Sequence, residues 1–263
     1  MLPQAPNLEE NYEIKLILNP DLVLDPASHA PTPALLSAFS SSPTPTKMSI
    51  QFLDDSDKTI YGAGWSPRIR RTEGKPGFEL TYKKRYPITA GNVNEALRAA
   101  NTDGFDASDT KYEAQVEWGY KSMTLSVSRD KKVPGGEVSS LVLPDAEAAR
   151  EMLREEAPGK FKNFGGEEGW GIRALERVRV YGPVLAGRFA GTWGEAGVKI
   201  SLEIWPVMIK DEGRFEYIVE VSFKAANRAK ASPLREQLIA MLEGKGWLCP
   251  RDSLKTQLIM DNY

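Results

Sequence analysis

The sequence has only one cysteine and one histidine among its 263 residues. A single thiol excludes an intrachain disulfide and a metal–thiolate cluster, and a single imidazole excludes a zinc site built from histidines. The histidine, His29, lies in a segment dense in Pro, Ser, Thr and Ala, which argues against a nucleophile pair or triad that needs a positioned imidazole. Any chemistry must therefore rest on carboxylates, Lys, Arg, Tyr or a hard metal ion.

Excess charge and long apolar runs are also missing. The 34 Lys and Arg residues balance 36 Asp and Glu residues, which leaves a formal net charge of −2 and argues against general nucleic-acid or membrane-surface binding. No apolar run approaches the roughly 18 residues of a membrane helix, and the first residues lack the layout of a signal peptide. There is no G-x-x-x-x-G-K-[ST] phosphate loop. We therefore expect a cytoplasmic protein without a P-loop.

What the sequence does contain is a repeated alternation of apolar and polar residues. In "NYEIKLIL" at 11–18 every second residue is apolar, and the same period recurs at 111–118, 175–182, 198–205 and 216–223. Period-two alternation is typical of half-buried strands in an antiparallel sheet. Together with 64–88 and the candidates at 49–54, 122–128 and 185–193, it predicts eight to ten strands.

Helical signals are fewer, so the predicted class is α+β around one antiparallel sheet. Helices are expected within 90–104, after the N-cap Asp145, and from the N-cap Ser232 onward. We expect a single domain over 1–263. It would contain a flexible Pro- and Ser-rich connection at about 25–47, with at most one short helix, and a C-terminal helical segment at about 232–263.

Cations and carboxylates are interleaved on the polar faces of the predicted strands. In one interpretation these faces meet solvent, as on the polar side of a sandwich. In the other, the sheet closes into a barrel with a polar lumen. Short spacing of the cations on separate strands favours the barrel, in which Arg and Lys would grip tetrahedral phosphate groups. Carboxylates on the same surface would suit Mg²⁺ or Mn²⁺.

Several segments resemble the CYTH superfamily, also called triphosphate tunnel metalloenzymes. They are "NYEIK", "IQFLDDSDKTIYGAGWSPRIRRTEGKPGFELTYKKRYP" and the terminal "PRDSLKTQLIMDNY", and the resemblance runs in order from about residue 11 to 260. It implies a closed antiparallel barrel of about eight strands, flanked by a few helices, whose charged tunnel binds triphosphate. It also implies a phosphoanhydride hydrolase that acts on inorganic or organic triphosphate and depends on a divalent metal.

The resemblance also implies roles for individual residues. The catalytic, phosphate-binding set is Lys15, Arg68, Arg70 and Lys83. Further substrate ligands would be Arg177, Arg179 and Arg188, with Lys255 a weaker candidate. The implied ligands for Mg²⁺ or Mn²⁺ are Glu13 and Glu220, with Glu113 and Glu203 weaker. Glu113 and Glu117 are expected instead to be salt-bridge partners inside the barrel.

Two departures from the family pattern leave a second function open. Asn11 stands where the first acid of the opening motif is expected, and Ser222 stands where the second acid of a later pair is expected. Each change removes a charge from the metal half of the site, while the anion-binding half is kept. The protein is therefore either a metal-dependent phosphohydrolase or a tunnel that binds a phosphorylated polyanion without hydrolysis, or uses the barrel for other biosynthetic chemistry. In both cases the expected partner is a small phosphorylated molecule, with neither nucleic acid nor membrane.

Overall fold

The computed structural model describes residues 5–209, 212–252 and 255–263, in which nine strands close into one barrel. Their order around the barrel is β1-β5-β6-β4-β3-β2-β7-β8-β9, and β9 pairs back onto β1. The strands are β1 (Glu10–Leu18), β2 (Thr46–Asp54), β3 (Trp65–Thr72), β4 (Phe78–Ile88), β5 (Glu113–Trp118), β6 (Met123–Val133), β7 (Arg179–Trp193), β8 (Val198–Ile209) and β9 (Arg214–Ala225). The predicted α+β class and closed barrel are confirmed. One detail differs, because β1 and β5 pair in parallel while every other pair is antiparallel.

The pleat of the strands divides the side chains between a polar bore and an apolar outer face. On β1, Ile14 and Leu16 are fully buried outside the barrel, whereas Glu13 and Lys15 line the bore. Successive side chains of a strand point to opposite faces, so the period-two pattern in the sequence becomes the inside and the outside of the barrel.

Helices cover the outer face and one end of the barrel. They are α1 (Pro20–Val23), α2 (Pro33–Ala38), α3 (Thr59–Gly62), α4 (Val93–Thr102), α5 (Ala146–Glu155), α6 (Gly159–Lys162), α7 (Trp170–Glu176), α8 (Arg228–Gly244) and α9 (Lys255–Asn262). Asp145 caps α5 as predicted, by accepting from the backbone N–H of Ala148. The prediction that Ser232 caps α8 is wrong: Asn227 accepts from the N–H of Lys230 and starts the helix five residues earlier. No helix in the described residues combines the length and apolarity needed to cross a membrane.

One end of the bore is closed by an apolar floor. Phe52, Trp205 and Ile218 project into it from the strands, and Ile259 and Met260 of α9 pack against the same cluster. These side chains are at most 5% exposed. Burial of such apolar area stabilises the closed end at about 25 cal/mol per Å². The polar part of the bore therefore lies above an apolar base.

Two connections are packed against the barrel. In the Pro- and Ser-rich connection at 25–47, α2 supplies the short helix expected there, and Leu35 and Phe39 are fully buried. The glycines and charges of the stretch 158–171 predict an exposed loop, but this stretch instead carries α6. Its Phe161 is fully buried and packs edge-to-face on Trp65 at 5.2 Å. That expectation was wrong because aromatic residues in this stretch outweigh its glycines as a packing signal.

Candidate functional site

The bore encloses a cavity of about 930 Å³. Among the residues predicted for the site, most line this cavity. They are Glu13, Lys15, Arg68, Arg70, Lys83, Glu113, Arg188, Glu203, Glu220 and Lys255. Side chains from seven strands and one helix are thus brought to a single enclosed space, as a closed barrel permits.

The first charged group is centred on Glu117 of β5 and contains Lys15, Lys83 and Arg85. We call these four residues the Glu117 cluster. Lys83 Nζ donates to Glu117 Oε1 at 2.7 Å, and Lys15 Nζ lies 3.3 Å from the same oxygen. Arg85 Nε is 3.9 Å from the other oxygen. Lys15 also pairs with Glu13 at 2.8 Å. The predicted role of Glu117 as a salt-bridge partner inside the barrel matches this geometry.

Burial and charge act in opposite directions on the pKa values of this cluster. Burial lowers the pKa of Lys83 to about 8, although Glu117 partly opposes the shift. For Lys15, burial is outweighed by Glu117 and Glu13, which raise its pKa above the usual lysine range. Burial disfavours the Glu117 carboxylate, yet Lys15, Lys83 and Arg85 hold its pKa well below normal. Lys83 is therefore the cation of the cluster whose charge changes near neutral pH.

The second charged group lies on β3 and β4 and contains the predicted Arg68 and Arg70. Arg70 forms a short ion pair with Glu79, and Arg68 donates to Thr81 Oγ1 at 2.8 Å. Burial, together with the charge of Arg70, lowers the pKa of Arg68 to about 10. Thr81 in turn donates to Asp130 at 2.6 Å. Two guanidinium groups are thus held side by side on one wall of the bore.

The third charged group joins β7, β8 and β9 to α9. Lys255 Nζ lies 2.8 Å from Glu203 and 2.9 Å from Glu220. Arg188 pairs with Glu203 at 2.7 Å, and the indole N–H of Trp205 donates to Glu203 at 2.9 Å. Although burial opposes it, Lys255 and Arg188 hold the pKa of Glu203 below its usual range, whereas burial raises the pKa of Glu220.

Of the metal ligands implied by the resemblance, Glu13 and Glu220 are not brought together, whereas Glu203 lies opposite Glu220 and shares Lys255 with it. In the register of β1 and β9, Glu13 faces Lys224 while Glu220 faces Ile17, so the two acids are four residues apart, with Lys15 between them. Each is paired with a lysine rather than with another carboxylate. Within 5–209, 212–252 and 255–263, no three acidic, histidine or cysteine side chains cluster as a metal site would require. This donor set does not fit a resident divalent cation.

Arg177 and Arg179, also implied as phosphate ligands, are not among the lining residues. Arg177 directly follows α7, is 70% exposed, and lies 3.6 Å from Asp55. Arg179 contacts the carbonyl of Tyr263 at the end of the barrel closed by α9. Sequence alternation alone did not reveal that the strand starts only at residue 179.

Sequence reasoning missed Arg85 and underrated Lys255. Arg85 lines the bore and donates to Ser66 Oγ at 2.7 Å. Its position two residues after Lys83 on the same strand was the available signal, because alternate residues share a face. Strand spacing could not indicate Lys255, because this residue reaches the bore from α9 rather than from a strand.

Comparisons with known proteins give a likeness of fold. No family model matches the chain, and no curated protein matches it. Among solved structures, a protein from Hippeastrum proposed to be an adenylyl cyclase, with a dominant triphosphatase activity, superposes with a TM-score of 0.56 at 14% identity, over 95% of this chain and 94% of that chain. At 14% identity this likeness is one of fold alone.

Two further structures match along nearly their whole length at lower scores. A protein from Vibrio parahaemolyticus proposed to be an adenylate cyclase has a TM-score of 0.43 at 12% identity, over 96% of this chain and 99% of that one. A protein from Bacillus halodurans with the same proposed activity has a TM-score of 0.45 at 14% identity, over 95% and 96%.

Proposed function

We propose that this protein binds the phosphate chain of a small triphosphate-type molecule in the bore of its barrel. The observation that carries the proposal concerns Arg68, Arg70 and Arg85. The Nε atoms of all three are buried and have no hydrogen-bond partner among the described residues. A buried donor without a partner costs free energy, and a phosphate oxygen would satisfy it with a charge-assisted hydrogen bond.

The charge of the cavity supports the same proposal. Its lining holds ten Lys or Arg residues against seven Asp or Glu residues, although the chain as a whole carries a net charge of −2. Positive charge is therefore concentrated in the bore, where low-dielectric walls strengthen its field. A cavity of about 930 Å³ is in the range of small-molecule sites. The overall charge balance still predicts no general nucleic-acid binding, and the cytoplasmic location stays a prediction.

A second candidate function is phosphoanhydride hydrolysis, as the sequence resemblance implies. One observation favours it: the Hippeastrum protein of similar fold has a dominant triphosphatase activity. In this candidate, Mg²⁺ or Mn²⁺ would enter as part of a metal–triphosphate substrate, since the bore carboxylates are paired with lysines and arginines. The residues that would hold the phosphates are the same in both candidates.

One set of measurements tests both candidates. Titration calorimetry with tripolyphosphate in the presence of EDTA should show binding, and the protein should gain thermal stability with the ligand. Phosphate release from tripolyphosphate and from a nucleoside triphosphate, with added Mg²⁺ or Mn²⁺, then decides whether hydrolysis follows. Arg70→Gln should weaken binding. The control is Lys131→Gln, which should not: Lys131 pairs with Glu156 at 2.8 Å, and neither residue lines the bore. Absence of binding with every phosphate compound would refute the proposal.

A further inference from the structure

Glu117 differs from every other carboxylate in the described part of the chain by the number of cations around it. Three cationic side chains lie within 4.0 Å of its oxygens, namely Lys15, Lys83 and Arg85. Glu79 and Glu203 each pair with two cations. The Glu117 side chain is 11% exposed, so little water competes for these contacts.

The surroundings of Glu117 are those of a bound anion. Its partners come from two different strands: Lys15 from β1, and Lys83 and Arg85 from β4. The two lysines share Oε1 of Glu117, and Arg85 approaches the second oxygen. Two lysines can share one oxygen of a phosphate group in the same way. A carboxylate and a phosphate offer similar acceptors to Lys and Arg. The three cations therefore serve Glu117 in the empty bore and would serve a ligand oxygen in the occupied one.

We propose that Glu117 is an internal counter-anion, which occupies the place of a ligand phosphate group and thereby sets the affinity of the bore for polyanions. This inference rests on the proposed binding function. A ligand phosphate has to take over contacts that the Glu117 carboxylate already makes, and it also meets the negative charge of that carboxylate. Glu117 keeps three like charges together when the bore is empty, at the expense of binding strength.

The test is Glu117→Gln, which keeps the size of the side chain and removes its charge. The titrant is tripolyphosphate, with EDTA present and at about pH 6, because loss of the carboxylate lowers the pKa of Lys83 further and the lysine must stay protonated. We expect tripolyphosphate to bind at least about tenfold more tightly, since a full negative charge within a few ångströms of the phosphate is removed. The matched control is Glu156→Gln, which breaks one ion pair away from the bore lining and should leave the affinity unchanged.

The outcomes separate this inference from the proposed function. If the unaltered protein binds tripolyphosphate and Glu117→Gln binds it equally or more weakly at about pH 6, Glu117 is a structural residue and the inference is refuted. If the unaltered protein binds no phosphate compound, the proposed function fails and the inference fails with it. Should Glu117→Gln be unstable alone, tripolyphosphate must restore its folding, because the ligand supplies the missing anion. A variant that stays unfolded with tripolyphosphate contradicts the inference.

Discussion

The lowered pKa of Lys83 predicts that tripolyphosphate binding weakens above pH 8 and that this weakening depends on Lys83. Burial places the pKa of Lys83 near 8 in the empty bore. A bound phosphate raises this pKa again, because a nearby opposite charge favours the ammonium form. Below pH 8 the lysine is already charged and contributes fully to binding. Above pH 8 the contribution is lost by about tenfold per pH unit, because the ligand must first recruit a proton.

Lys83→Gln gives the magnitude of the contribution. A charge-assisted hydrogen bond contributes about 1.5–3 kcal/mol, and each 1.4 kcal/mol is about tenfold in Kd. At pH 7 the variant should therefore bind tripolyphosphate about ten- to a hundredfold more weakly than the unaltered protein. At about pH 9.5 the ratio of the two Kd values should fall to a few fold or less, because the contribution of Lys83 is lost by about tenfold per pH unit above its pKa of about 8.

The assay is titration calorimetry of both proteins across this pH range. Tripolyphosphate itself titrates, but its protonation affects both proteins alike and cancels in the ratio of their Kd values. Lys131→Gln, whose lysine pairs with Glu156 away from the bore lining, should give a ratio close to one at every pH. A ratio for Lys83→Gln that stays constant from pH 7 to 9.5 would refute the reasoning.

Three further predictions concern other parts of the molecule. Arg70→Gln should weaken tripolyphosphate binding at least about tenfold in calorimetry, while Arg179→Gln, whose arginine contacts the Tyr263 carbonyl, should have no effect; equal losses would contradict the placement. Asp252 accepts from the N–H groups of Tyr120 at 2.5 Å and Ser122 at 2.8 Å. Asp252→Ala should therefore lower the free energy of unfolding in urea by about 1–3 kcal/mol, and an unchanged value would show that Asp252 does not hold the 120–122 turn in place. Phe161→Ala should lower it by about 3–5 kcal/mol, and a loss below 1 kcal/mol would show that 158–171 does not pack as described.

The strands and much of the bore could be predicted because alternation carries directly into a barrel. Arg68 and Arg70 share a face by their spacing alone, and Lys83 shares a face with Glu79 for the same reason. Closure requires every strand to place alternate residues inside. Local spacing therefore placed these cations on shared strand faces, while it left open whether those faces meet solvent or line a barrel.

The remaining features depend on pairings that local spacing does not contain. Glu117 meets Lys15 because β5 pairs in parallel with β1, about a hundred residues away in the chain. Lys255 reaches Glu220 because α9 folds back over one end of the barrel. Register between distant strands is decided by packing of the whole sheet. Which carboxylate meets which cation was therefore beyond a reading of single segments.

The ion pairs of the bore have opposite effects on stability and on binding. Three cations that converge without an anion would repel one another in a cavity partly shielded from water, so Glu117 stabilises the empty barrel. The same contacts must be released before phosphate oxygens can replace them, so Glu117 also weakens binding. A variant such as Glu117→Gln should then lose stability when empty and gain affinity for tripolyphosphate. That combination is not expected of a carboxylate that only holds the fold together, because loss of such a residue would weaken folding and binding alike.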